Sequence, residues 1–311
     1  MEFDLAMDRQ GFIAHRVFPV IDVARAAGNF GIIPVEQLLQ NRETTRAPGA
    51  GYSRSNFTFE PATYGTQEHG AEEPVDDNQR AMYRDYFDAE RIAIERARDV
   101  ILRNWEKRVA AAVFNSSIWT GSALTTAVSV PWSTPATATP VDDIDAARQK
   151  AWDGCGLWPN AVIMNRRNFH LVRKTAQVID AVASQGAGSS VRARDITAQI
   201  LAAVFDVDYV LVAGGAKNTA AEGQSAAFGQ IWANANVMVC RVATTDDIEE
   251  PCIGRTFRWT DDDNGGDKEA PHIVEQYREE KVRGEIYRAR HQTDEKRLYH
   301  VCGHLLSNVS A

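Results

Sequence analysis

The sequence has no long apolar run and only four cysteines among its 311 residues. Because no stretch reaches the roughly 18 consecutive apolar residues of a membrane-spanning helix, no segment is predicted to cross a membrane. The first ten residues carry acidic groups where a secretory signal would carry Lys or Arg, so export is not expected. The cysteines are far apart and form no CxxC motif, which predicts free thiols in a reducing cytoplasm rather than a zinc site. They are Cys155, Cys240, Cys252 and Cys302.

Positive charge is also scarce. The chain holds 34 Lys and Arg against 42 Asp and Glu, and its formal net charge is −8. This balance argues against tight binding of nucleic acid by the chain as a whole. The first 54 residues contain six Arg and six acidic residues, so they do not form a basic arm.

Motifs of catalysis and metal binding are missing as well. The segment 213–219 follows a predicted strand but lacks the spacing of a phosphate-binding loop. The segment 261–267 resembles a calcium loop, but its fifth and twelfth positions are Gly265 and His272, where oxygen ligands are needed. His300 and His304 lie in a strand-like tail and form no metal motif. The sequence therefore predicts no catalytic residue, no cofactor and no metal site, and the chain is not expected to be an enzyme.

A long helical pattern occupies residues 77–115. The stretch contains neither Pro nor Gly, and apolar residues such as Ala97 and Trp105 recur at steps of three and four. The oxygens of residues 76–78 can cap its start. Such a helix would be on the order of 50 Å long. It is interpreted either as the core helix of a large globular domain or as a structural strut.

Two segments before this helix have too little apolar surface to fold by themselves. Residues 1–46 read as short extended pieces around Pro19 and Pro34, and residues 47–80 are predicted to form a hairpin with its turn near 60–62. A hairpin so poor in apolar residues is marginal unless it packs on this chain or on a neighbouring one. Between Ser55 and Gln79 the segment has six acidic residues and no Lys or Arg.

The remainder of the chain mixes predicted helices and strands. Residues 160–165 read as a buried strand followed by a helix, and a preceding helix is expected to end near Gly154. The tail from 273 to 309 is mostly strand-like. The fold class is therefore α+β, and an arm and a hairpin without cores of their own are typical of a chain whose neighbouring copy covers them.

Seven motifs follow one another over nearly the whole chain. They are FIAHRVFPVIDV with GNFGIIP, RAPGAGYS with FEPATYGTQEHGAEEPVDD, ILRNWEKRVAAAVFN, PVDDIDAA, GLWPNAVIMN, FDVDYVLVAGGAKNTA with GQIWANANVMVC, and VRGEIYRARHQTDEKRLYHVCGHLLSNV. In this order, the motifs resemble the major capsid proteins of tailed bacteriophages, which have the Hong Kong 97-like fold.

The resemblance implies a division of the chain into the regions of that fold. These are an N-arm (1–46), an extended hairpin called the E-loop (47–80), a peripheral or P domain (81–183) that includes the long spine helix (about 81–115), an axial or A domain (184–260), and C-terminal strands that return to the P domain (261–311). The loops 186–190 and 214–226 are expected near the axis of a capsomer.

The resemblance also implies a function. The chain is expected to assemble in the host bacterial cytoplasm into pentamers and hexamers of an icosahedral virion shell around double-stranded DNA. Its expected partners are further copies of itself, a separate scaffolding protein, a portal, and DNA bound without sequence specificity. No membrane is expected among its partners. An E-loop beginning near residue 47 leaves no room for a scaffolding segment of the chain's own.

Some members of the family cross-link their subunits through a Lys in the E-loop. Here no Lys precedes Lys107, so noncovalent contacts or a cement protein are expected instead. Two alternatives remain open from the sequence. One is the shell of an encapsulin-like compartment with enzyme cargo, and the other is a soluble cytoplasmic α+β enzyme whose core contains the long helix.

Contacts between subunits are expected to place the acidic hairpin against an Arg-rich surface of a neighbour, with aromatic residues as the apolar part. Single exposed ion pairs contribute about 0–1 kcal/mol, so their effect depends on repetition over a shell. The residues expected in these contacts are Phe57, Phe59, Tyr64, Glu68, Glu72, Glu73, Arg91, Arg98, Arg288 and Arg290.

Overall fold

The structure is a computed structural model, and it describes residues 10–54, 58–83, 88–184, 192–261 and 267–310. Within these ranges, no helix combines the length and the apolar character needed to cross a membrane.

Helices and strands are mixed along the chain up to residue 204, and strands predominate after it. The helices are α1 (Ala14–Val17), α2 (Val35–Leu38), α3 (Asp77–Tyr83), α4 (Ala89–Val113), α5 (Pro140–Cys155), α6 (Arg166–Val172), α7 (Ala176–Val182) and α8 (Ala198–Val204), with short 3₁₀ turns at Ala193–Asp195 and His300–Cys302. The strands are β1 (Val20–Val23), β2 (Ala27–Ile32), β3 (Glu60–Gly65), β4 (Gln67–Asp76), β5 (Thr125–Ala127), β6 (Ala161–Asn165), β7 (Tyr209–Ala213), β8 (Ala216–Asn218), β9 (Phe228–Gln230), β10 (Val237–Cys240), β11 (Gly254–Trp259), β12 (Ile273–Glu279), β13 (Gly284–Arg297) and β14 (Gly303–Ser307).

The first of two five-stranded sheets is built around β13. Its beginning lies between β12 and β4, and its end pairs with β11, which in turn pairs in parallel with β1. The second sheet has the order β5-β14-β10-β6-β7, and its core strands β6 and β10 are completely buried. A strand buried on both faces is expected to be continuously apolar, which is why the pattern of residues 160–165 could be interpreted correctly.

The long helix α4 joins the two sheets. At about 100° of rotation per residue, Ala93, Ala97 and Ile101 share one side, and they pack with residues of β4 and β13. Val109 and Val113 lie on the roughly opposite side, within a cluster that also contains residues of β6, β10 and β14. The helix is therefore buried from two directions, which agrees with its interpretation as a strut.

The long helix begins later than residue 77 or 81, where the sequence pattern placed its start. Asp88 caps it, and its carboxylate accepts from the backbone N–H groups of Glu90 and Arg91 at 3.1 and 3.2 Å. The cap expected at 76–78 instead begins the separate helix α3. Ahead of α4, residues 84–87 lie outside the described part of the chain. At the other end, Val113 lies close to the predicted end at 115.

The hairpin predicted at 47–80 is wrong in register. Residues 60–62 do not turn, because they lie inside β3, and β3 pairs with the earlier strand β2 through Ile32↔Glu60 to Ala27↔Gly65. Pro61 is tolerated in β3 because a two-stranded ribbon leaves N–H positions that need no partner. The hairpin is therefore β2–β3, and the described residues of 33–59, which are 33–54 and 58–59 and are here called the ribbon loop, form its far end. Strand β4 continues from β3 into the first sheet.

Candidate inter-subunit surface

The ribbon loop exposes large apolar side chains. Leu39, Tyr52 and Phe59 are 56%, 72% and 62% exposed. The Phe59 ring lies over Gly31 on the opposite strand, and it belongs to none of the buried clusters formed by the described residues. In the described part of the loop, Val35 is the buried apolar residue that joins a core cluster. Within the described part of the chain, the loop thus leaves more than half of each of these three side chains exposed.

The base of the ribbon is anchored. The ring of Tyr64 stacks on Phe257 of β11 with centroids 4.9 Å apart, and Phe30 lies 5.2 Å from the same ring. The N–H of Gly65 donates to the Asp294 carboxylate at 2.9 Å. Tyr64, expected in contacts between subunits, therefore packs on its own subunit. Phe57 lies outside the described residues.

A row of exposed ion pairs crosses β4, β13 and β12, and it is called here the charge ladder. The β4–β13 register sets Glu72 directly opposite Arg288, and their carboxylate and guanidinium lie 2.7 Å apart. Arg290 binds Glu275 of β12 at 2.8 Å, and hydrogen bonding from Arg290 lowers the pKa of the Glu275 carboxyl. The ladder residues are Glu72, Asp77, Glu275, Arg278, Arg288 and Arg290.

The structure brings only part of the predicted contact set together. Glu72, Arg288 and Arg290 meet in the charge ladder within one chain. Glu73, on the other face of β4, lies 3.4 Å from Arg96 of the long helix, and Glu68 is exposed near the start of β4.

Two further predicted arginines lie on the long helix. Arg91 pairs with Glu95 one turn along the helix at 3.0 Å. Arg98 is half-buried, and its Nε has no hydrogen-bond partner among the described residues. Whether any of these residues contacts a neighbouring subunit stays a prediction.

A buried carboxyl that the sequence analysis did not single out joins three parts of the chain. Glu106 of α4 is fully buried and accepts from the backbone N–H groups of Ile13 and Ala14 at 2.7–3.1 Å. It also accepts from the indole N–H of Trp232 at 2.5 Å. Burial raises its pKa to about 7, although these hydrogen bonds favour the charged form. The sequence did carry a signal for this site, because an acidic residue lies inside the apolar stripe between Leu102 and Ala110 and so indicates a buried carboxyl.

A second buried polar link holds α4 against the first sheet. Arg108 binds Glu295 at 2.7 Å and donates to His291 Nε2 at 3.1 Å. The Nδ1–H of His291 donates to the carbonyl of Pro271 at 2.9 Å, so this ring fits a neutral imidazole. Burial and the neighbouring Arg108 charge lower the pKa of His291 to about 3.

The glycine-rich segment 213–219 is a packing point. The N–H of Gly214 donates to the carbonyl of Gly11 at 2.8 Å, and a Cβ added at Gly11 would lie 2.9 Å from the Gly214 backbone. This close approach seats the N-terminal arm beside β7. His304 is buried and bound to Ala123 and Thr126, while residues 262–266 of the acidic loop lie outside the described part. Among the described residues, no cluster of three His, Cys, Asp or Glu could hold a metal ion.

Comparison with known proteins gives structural matches only. No protein-family model matches the chain, and no curated protein matches it. The fold is similar to that of a phage-related protein from Bordetella bronchiseptica RB50, with 21% identity, a TM-score of 0.71, and 96% of this chain and 92% of that chain covered.

Two further solved structures cover this chain completely. The capsid of the cyanophage P-SCSP1u is 13% identical with a TM-score of 0.61, over 90% of that chain. The holo-SrpI encapsulin complex from Synechococcus elongatus PCC 7942 is 9% identical with a TM-score of 0.58, over 92% of that chain. The predicted α+β class is confirmed, and the chain has the Hong Kong 97-like fold.

Proposed function

We propose that this chain is the major capsid protein of a tailed bacteriophage, which assembles into pentamers and hexamers of an icosahedral shell around double-stranded DNA. The observation that carries the proposal is the similarity of the whole chain, at a TM-score of 0.61, to a cyanophage capsid. The role is structural, and no chemical step is assigned to any residue.

The ribbon loop supports this role physically. Exposed Leu39, Tyr52 and Phe59 favour a covering surface, and a neighbouring copy of the chain is always available in a shell. Each contact can be weak because one subunit touches several others at once. In this proposal the loop of one subunit, with Phe57 and Phe59, lies over a neighbour that offers residues such as Arg91 and Arg98.

The charge of the chain fits a container for DNA. A net charge of −8 favours an inner wall that does not hold DNA tightly, so packaging needs no sequence-specific contact. The proposed partners are a separate scaffolding protein and a portal. Because no Lys precedes Lys107, noncovalent contacts or a cement protein are proposed to hold the shell together. Assembly would take place in the cytoplasm of a bacterial host, and the product would be the virion capsid.

A second candidate is the shell of a protein compartment. The specific observation in its favour is the similarity to the holo-SrpI encapsulin complex over the complete chain. The candidates share one subunit fold and differ in what the shell encloses, so the contents of purified particles separate them.

The test is the size of the purified full-length protein by light scattering, with negative-stain microscopy of the same sample. Uniform icosahedral particles, pentamers or hexamers are expected, and double-stranded DNA or protein cargo then distinguishes the two shells. A chain that stays monomeric or dimeric at high concentration, also with a scaffolding protein supplied, would contradict both.

A further inference from the structure

The four cysteines, distant in sequence, are all buried in the structure. Cys155 is the last residue of α5, and Cys302 ends the 3₁₀ turn before β14. Both belong to one buried cluster, together with Cys252. Their convergence was not visible in the sequence, because it depends on how α5 packs against the C-terminal segment.

Cys155 and Cys302 lie beside each other in this cluster, because the residues just before them, Gly154 and Val301, are in close contact. The Cys155 thiol donates to the carbonyl of Leu157 at 3.3 Å. Gly154 makes this approach possible, since a Cβ there would lie 3.1 Å from the carbonyl oxygen of Val301. The backbone of Cys302 is fixed as well, because its carbonyl accepts from the N–H of Arg241 at 2.9 Å.

The two thiols differ in reactivity. Hydrogen bonding with the neighbouring Cys302 thiol, followed by the Leu157 backbone and the charge of Arg241, lowers the pKa of Cys155 to about 7 in spite of burial. The same contact raises the pKa of Cys302. Burial raises the pKa of Cys252 to about 11. Because the thiolate is the reactive form of cysteine, Cys155 is the group of this cluster suited to react first.

We propose that Cys155 and Cys302 form an intramolecular disulfide when the folded protein meets a peroxide. The bond would tie the end of α5 to the segment that leads into β14, and it would close a loop of nearly half the chain. The proposal concerns a single subunit and is independent of the shell function.

The chemistry balances with hydrogen peroxide as the oxidant. The Cys155 thiolate attacks one peroxide oxygen, the O–O bond breaks, and a sulfenic acid and hydroxide form. The Cys302 thiolate then attacks the Cys155 sulfur and displaces a second hydroxide. The two thiol protons and two hydroxides give two waters, so the thiol pair loses two electrons and the peroxide gains them. A small oxidant is required because both thiols are buried.

The test treats the folded full-length protein with hydrogen peroxide and counts thiols after denaturation. The count should fall from four to two, and mass spectrometry without reductant should find one peptide that links Cys155 to Cys302. The thermal midpoint should rise by about 5 °C and return after reduction. A link through Cys252, or four intact thiols in folded protein whose unfolded form oxidises readily, would overturn the proposal.

Two variants and one control test the order of the steps. In Cys302→Ser, a sulfenic-acid probe such as dimedone should label residue 155, since no second thiol can resolve the intermediate. In Cys155→Ser, residue 302 should stay unlabelled and the rise in midpoint should be lost. Cys240→Ser is the matched control, because that buried thiol lies outside the pair, and it should keep the disulfide. Labelling of residue 302 in Cys155→Ser would show that Cys302 attacks the peroxide by itself, which contradicts the proposed order of the steps.

Discussion

The charge ladder and the buried links of α4 use the same kinds of side chain under opposite conditions. In the ladder, Glu72 and Arg288 are each more than a third exposed, so water already solvates both charges. Glu106 and His291 are completely enclosed, and their hydrogen bonds replace water. Losing a partner in the ladder exposes a group to solvent, whereas losing one inside leaves a buried polar group unsatisfied.

The difference teaches where the stability of the subunit is concentrated. The buried links fasten α4 to the N-terminal arm and to the first sheet, and they are expected to decide whether the subunit folds. The exposed ladder and the ribbon loop are expected to contribute little to that folding, and they remain available for contacts with other copies.

The largest effect is expected at Glu106. Glu106→Ala removes the acceptor of three N–H groups inside the core and should lower the free energy of unfolding by about 3–5 kcal/mol. Glu106→Gln keeps an acceptor oxygen and should cost less. Glu95→Ala on the same helix is the control, at about 0.5 kcal/mol. Urea unfolding measures all three, and equal effects of Glu106→Ala and Glu95→Ala would remove the contrast between buried and exposed links.

Acidification should change the stabilising contributions of the two buried links in opposite directions. His291 stays neutral in the fold while its unfolded form gains a proton below about pH 6.5, so its contribution is lost as the pH falls. Glu106 acts oppositely, because its pKa is raised to about 7 in the fold. Its stabilising contribution to folding is complete below the ordinary pKa of a Glu carboxyl and is lost as the pH rises through 7.

Between pH 6.5 and 4.5 these slopes oppose each other, and each amounts to about 1.4 kcal/mol per pH unit. Compared with the unchanged protein, His291→Gln should therefore gain about 2–3 kcal/mol on acidification over this range, and Glu106→Gln should lose a similar amount. Urea unfolding at several pH values measures both. The charged and titratable groups that face His291 are His69, His272, Arg108 and Glu295. Parallel pH profiles of the two variants would refute the assignment.

A smaller effect is expected in the charge ladder. Glu72→Lys or Arg288→Glu should change the free energy of unfolding of the isolated subunit by about 1 kcal/mol or less. The double exchange should restore it at low protein concentration if the pair acts within one chain, as the 2.7 Å contact indicates. For assembly, Glu72→Lys combined with Glu73→Lys should impair shell formation, and unchanged shells with unchanged salt tolerance would contradict a role between subunits.

The smallest effect on folding is expected at the tip of the ribbon. Phe59→Ser should alter the free energy of unfolding by no more than about 0.5 kcal/mol, since its ring is mostly exposed. The same change should raise the protein concentration needed for assembly, as measured by light scattering. Exposed Thr63→Ser on β3 is a control that should leave both quantities unchanged. A large loss of stability in Phe59→Ser would show that the loop packs on its own subunit.

Local patterns predicted the elements that local physics decides. The buried strand at 160–165 appears as β6, and the helix expected to end near Gly154 ends at Cys155, followed by Gly156 in the left-handed conformation. The cap signal near Asp77 was also genuine, but it begins α3 rather than α4. The sequence analysis did not single out Asp88, which caps the long helix eleven residues later.

Long-range pairing could not be predicted from the sequence. Nothing local tells that β3 pairs with β2 or that Glu72 faces Arg288, because those registers join residues far apart in the chain. The contact of Cys155 with Cys302 has the same origin. Glu106 had a local signal that the sequence analysis did not use, since an acidic residue inside an apolar stripe by itself indicates a buried polar partner.

The placement of α4 between the two sheets has a mechanical consequence. Because the two sheets pack on roughly opposite sides of the helix, a displacement of either sheet should also displace the helix. A push on one sheet is passed to the other through the backbone hydrogen bonds of 25 helical residues. If copies of the chain form a closed shell under internal pressure, as proposed, the long helix would stiffen each subunit.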